Sequence, residues 1–99
     1  MRMLLKMSPG TEAGSRAVRD GRMEKVLTRT LEQIHPESAW FAPEHGLRTA
    51  WIVFDLKDAS QIPSIVEPLF DELGATVEIV PVMNVEDLKK GLASVGRGH

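Results

Sequence analysis

Two apolar stripes at helical spacing, each set between strand-like segments, restrict the fold of this chain more than any other feature. From Arg22 onward, Met23, Val26, Leu27, Leu31 and Ile34 recur with helical period, and Pro36 stops the helix because the residue before a proline is pushed out of α geometry. The second stripe is Ile62, Ile65, Val66, Leu69, Phe70 and Leu73, with Ser60 as the expected N-cap, Pro63 in the first turn and Gly74 at the close. Pro68 lies inside it and is expected to bend the helix. Strands are predicted over residues 2–8, 38–43, 48–56 and 75–83, the middle two forming a hairpin around Glu44-His45-Gly46-Leu47. Thr11 to Asp20 is polar and predicts only a short, poorly packed helical turn, broken at Asp20-Gly21. Asn84 caps a closing helix with Val85, Leu88, Leu92 and Val95 as its apolar edge, and 96–99 is expected to fray.

Joined by right-handed crossovers, this βαββαβ order gives a four-stranded antiparallel sheet with the last strand beside the first and the hairpin beyond it. The expected fold is an α+β, ferredoxin-like sandwich, one domain over 1–99, with a short C-terminal helix. Side chains alternate along a strand, so each face of the sheet is legible separately. Met3, Leu5, Met7, Phe41, Ala50, Ile52, Phe54, Val77 and Ile79 share one wholly apolar face, which must meet the helices. The other carries Arg2, Leu4, Lys6, Trp40, Thr49, Trp51, Val53, Asp55, Glu78, Val80 and Val82, with Trp40 opposite Trp51. The expected charge pairs there are Arg2 with Asp55 and Lys6 with Glu78.

Unless the closing helix or Thr11–Asp20 folds back over it, this second face has no cover. An apolar patch with two tryptophans marks an interaction surface. The expectation is a face-to-face homodimer, with Leu4, Trp40, Trp51, Val53 and Val80 as the contact face.

Composition narrows the function. A net charge of −2 argues against a general nucleic-acid binder, whose affinity for phosphate needs a basic surface. Without cysteine there is no disulfide, thiolate nucleophile or cysteine zinc site. The apolar runs are far shorter than the roughly 20 residues that span a bilayer, and the N-terminal run is interrupted by charge. No membrane partner is expected, and a cytoplasmic location is the default.

Arg48-Thr49-Ala50-Trp51-Ile52-Val53-Phe54-Asp55, Asp58-Ala59-Ser60-Gln61-Ile62-Pro63, Glu67-Pro68 and Pro81-Val82-Met83-Asn84-Val85-Glu86-Asp87-Leu88 resemble a family of short bacterial proteins of unknown function. The family is grouped by fold with the dimeric α/β-barrel superfamily, and the likeness runs from about Asp20 to Leu92. The resemblance implies a dimeric barrel and no established activity. The superfamily includes cofactor-independent monooxygenases, muconolactone isomerases and polyketide cyclases, which generally hold substrate between sheet and helices. Such kinship is analogy and assigns no chemistry.

The residues themselves carry no catalytic motif. His35, at a helix end, reads as a structural cap, His45 as an exposed hairpin tip and His99 as terminal, and their spacing suits no metal. No serine sits in a nucleophile elbow, and no glycine run forms a phosphate loop. No metal and no cofactor are expected. The candidate ligand contacts are Trp40, Arg48 and Glu67, on the expectation that the Pro68 bend opens a cleft with Trp40, Arg48 and His45 at its mouth. The expected function is a homodimer that binds a small apolar or aromatic molecule or assists a pathway without catalysis of its own. The alternative is a cofactor-independent isomerase, cyclase or monooxygenase acting on a small aromatic or polyketide-like substrate; whether the protein is an enzyme stays open in the sequence.

Overall fold

The structure is a computed structural model that describes residues 1–96. The tail expected to fray lies outside the described residues apart from Gly96. In chain order the elements are β1 (Arg2–Pro9), α1 (Thr11–Arg19), α2 (Arg22–Ile34), β2 (Ser38–Glu44), β3 (Leu47–Asp55), a 3-10 turn (Ala59–Gln61), α3 (Ile62–Leu73), β4 (Ala75–Pro81) and α4 (Val85–Val95). The four strands form one antiparallel sheet in the order β2-β3-β1-β4, the arrangement of a ferredoxin-like α+β fold.

The hairpin is tighter than the sequence suggests. His45 and Gly46 alone make the turn, both at positive φ (53° and 77°), as a two-residue hairpin connection requires. The pairing is unchanged, with Pro43 opposite Arg48 and Trp40 opposite Trp51. That register sends Leu5, Ile52 and Phe54 into the core with Leu69, Leu73 and Val26 of the helices above. The α3 entry also differs in detail. Asp58, not Ser60, is the cap of the 3-10 turn that leads in: its carboxylate accepts from the Ser60 N–H at 2.9 Å, and the Asp58 N–H donates to Gln61 Oε1 to close a capping box.

The Thr11–Asp20 segment departs furthest from expectation. It is a nine-residue helix with Gly14 and Ala17 buried, not a loose turn. It packs on α2, α3 and the start of β3 through small side chains, which carry no large-apolar stripe for a periodicity reading to find. One close approach sets its position. The Gly10 N–H donates to the Gly74 carbonyl at 3.1 Å, and a Cβ on Gly74 would stand 2.9 Å from the Ala13 methyl. Gly74 also holds φ at +57°, which costs other residues about 1–2 kcal/mol. Gly74→Ala is therefore expected to destabilise the protein by about 1–3 kcal/mol in urea unfolding. An unchanged midpoint would mean that α1 is not held against this corner.

Candidate functional site

The helix-facing side of the sheet is not filled evenly. In one cross-strand row Phe41, Ala50, Met7 and Val77 stand side by side, and Ala50 is much the smallest. The sheet edge at β2 also runs past the helices, so Phe41, expected in the core, is 53% exposed although it points to the helix side. A small residue between two large ones beneath an incomplete cover leaves a hollow. It measures about 310 Å³, at the lower end of the range for small-molecule sites. Met23 and Leu27, one helical turn apart on α2, form one wall, and Met7, Ala50 and Phe41 form the floor.

Among the described residues, Arg48 is the one titratable group lining this hollow. Its Nη2 donates to Ser15 Oγ at 3.3 Å, and no carboxylate among the described residues pairs with it. The guanidinium lies over α1 because residue 14 is glycine; a Cβ there would approach Nη1 to 3.3 Å and the Pro9 Cβ to 3.2 Å. Gly14 and Ser15 are thus positioning residues that the sequence reading missed. A glycine inside a helix, where it costs about 1 kcal/mol against alanine, was the available signal.

Of the three expected ligand contacts, only Arg48 lines the hollow. Trp40 alternates with Phe41 on β2 and points to the opposite side of the sheet, 69% exposed. Glu67 is exposed on α3, and neither it nor Pro68 borders the hollow. Proline at 68 leaves α3 continuous from Ile62 to Leu73. The expected grouping at a Pro68-opened cleft therefore does not form around Arg48. His45, at the turn, lies 3.9 Å from Glu44 and is exposed.

Among the described residues the other face of the sheet stays open, since neither α1 nor α4 folds over it. Its centre is two apolar rows: Val53, Leu4 and Val80 across three strands, and Trp40 beside Trp51. Arg2, Lys6 and Asp55 around it are paired, but not as the register suggests. Arg2 sits opposite Asp55, yet its guanidinium bonds Glu37 at 2.8 Å and reaches Asp87 at 3.7 Å. Asp55 instead takes the Lys57 ammonium at 2.6 Å and the Met1 amine at 2.7 Å. Those hydrogen bonds, from Lys57 first, hold its carboxyl down at about 2. Lys6 faces Glu78 across the strands but bonds Glu44, which raises its pKa. Long side chains reach past their direct neighbours to wherever a carboxylate lies nearest the rim.

Among the described residues no cluster of three or more His, Asp or Glu is placed to hold a metal ion, and no helix is long and apolar enough to cross a membrane. Comparison with protein families matches residues 3–96 to the family described as a domain of unknown function, DUF3303. The chain belongs to the DUF3303 family. Comparisons with curated proteins and with solved structures gave no match. Membership in DUF3303 agrees with the resemblance to an uncharacterised family and brings no activity with it.

Proposed function

We propose that this DUF3303 protein is a homodimer, closed face to face through the open side of its sheet in the manner of a dimeric α/β barrel. Each protomer binds a small apolar or aromatic molecule bearing an anionic group, such as a carboxylate. The observation that carries this binding is the apolar hollow with, among the described residues, one carboxylate-free arginine at its edge. Apolar walls favour a hydrocarbon or aromatic body, and a guanidinium free of an acidic partner favours a planar anion that accepts two N–H bonds. The hollow lies between sheet and helices, where the superfamily holds substrates. Catalysis by a general acid or base would need a second titratable group beside the ligand, and among the described residues the lining supplies Arg48 alone. Binding without chemistry is the function this geometry supports best.

The test is thermal shift and calorimetry with a panel of aromatic and polyketide-like carboxylates, each paired with its neutral amide. Carboxylates are expected to raise the melting temperature by mass action and the amides much less. Arg48→Ala is expected to weaken carboxylate binding about tenfold or more, the value of a charge-assisted hydrogen bond, while leaving the fold intact because Arg48 is exposed. Equal shifts from acid and amide, or an unaffected Arg48→Ala variant, would rule out the arginine as the anion contact. Tryptophan emission is the wrong reporter of occupancy, since Trp40 and Trp51 lie on the other side of the sheet.

A further inference from the structure

The closing helix has a well-made start and packs along none of the other described elements. Its N-terminus is capped reciprocally: the Asp87 N–H donates to Asn84 Oδ1 at 2.8 Å and the Asn84 N–H to Asp87 Oδ2 at 3.1 Å. The root is tied to the sheet twice. The Val82 N–H donates to the Arg2 carbonyl at 3.1 Å, and the Asp87 carboxylate lies 3.7 Å from the Arg2 guanidinium. Beyond that root, α4 has no extended contact with any other element. Its apolar edge is bare, with Val85 64%, Leu88 45%, Leu92 60% and Val95 65% exposed. The radius of gyration is 16.1 Å, whereas a compact domain of this length has about 13 Å. The longest dimension is 57 Å against 28 Å and 19 Å for the others. Such proportions describe a compact body with a projecting arm.

We infer that α4 is an intersubunit arm whose Val85–Leu88–Leu92–Val95 edge packs against the second copy of this chain. The inference rests on the proposed dimer and adds to it. Two observations select a second copy as the occupant. First, Arg2 alternates with Met3 and so belongs to the open face together with Leu4 and Lys6. Its contact with Asp87 therefore roots α4 on the side of the sheet from which the partner approaches. Along the chain, Val80 and Met83, both exposed, lie between the sheet rows and Val85.

Second, the arm itself carries interface surface. Val85, Leu88, Leu92 and Val95 are bare aliphatic side chains beside that face, the kind of surface a stable interface burying about 800 Å² on each partner draws on.

Sedimentation velocity over a dilution series tests this with wild type and the double variant Leu88→Asp/Leu92→Asp. Both positions are exposed within the chain, so the fold should survive, with far-UV circular dichroism as the check. The double variant is expected to raise the dimer dissociation constant about tenfold or more, because two carboxylates would be desolvated against the partner. A wild-type dimer with an unaltered constant in the variant would overturn the arm and leave the sheet interface standing. A wild-type monomer would overturn both. A larger wild-type assembly that the variant reduces to an undisturbed dimer would also overturn the inference, by assigning α4 to a different contact.

Labelling gives an independent readout. The chain has no cysteine, so Leu92→Cys introduces a single thiol. Its maleimide reaction should slow as protein concentration carries the variant from monomer to dimer. A rate indifferent to concentration across a sedimentation-verified transition would contradict the arm even if the double aspartate variant failed to fold.

Discussion

Phe54→Ala is expected to lower the unfolding free energy by about 3–5 kcal/mol, the cost of an aromatic ring removed from a closed core. Phe54 is 1% exposed, stands opposite Met3 across the sheet and is among the largest fully buried side chains. Its neighbour Val53 points to the other face. A one-residue slip of β3 would exchange the two, since side chains alternate along a strand. Chemical denaturation of Phe54→Ala thus reads out the register directly. A loss under about 1 kcal/mol would place Phe54 on the open face and invalidate every assignment of face made for β3.

Trp51→Glu is expected to convert the proposed dimer to monomer at micromolar concentration, with at least a hundredfold rise in the dissociation constant. A buried carboxylate without a partner costs several kcal/mol. Lys6, directly across the sheet from Trp51, is already bonded to Glu44 and would not freely neutralise the new charge. Trp51 is only half-buried in the protomer, so the fold should tolerate the change. A monomer with native circular dichroism is the expected result. A variant dimer of unchanged affinity would move the interface off this face.

The elements with a strong period were legible in the sequence. The strands show alternation, and the hairpin around Glu44-His45-Gly46-Leu47 pairs residue 43 with 48; Trp40 opposite Trp51 follows from both. The two helices over the sheet announce themselves by large side chains at helical spacing. Where packing depends on smallness, the signal in the sequence is faint. Gly14 and Ala17 hold α1 against its neighbours because they are small, and a search for large apolar residues passes over them.

The candidate site escaped for a related reason. Its hollow exists because Ala50 stands between Met7 and Phe41 and because the helices stop short of the β2 edge. The first condition becomes visible only once the strands are in register, and the second only once the helices are placed. Arg48 was identifiable as a charged residue beside the hairpin. Its company was not: Trp40 lies through the sheet from it and Glu67 on a different helix. Ion pairing resisted for a further reason. Register brings Arg2 to Asp55 and Lys6 to Glu78, but flexible side chains at a solvated rim settle on Glu37 and Glu44 instead.

Native mass spectrometry of the wild-type protein, with and without a small aromatic carboxylate, tests the central claim most directly because it reports assembly and occupancy in one spectrum. The expected result is a species of twice the chain mass that takes up one carboxylate per protomer, with uptake largely lost in Arg48→Ala. A species of single chain mass at micromolar concentration, or a dimer whose uptake is the same with and without Arg48, would contradict it.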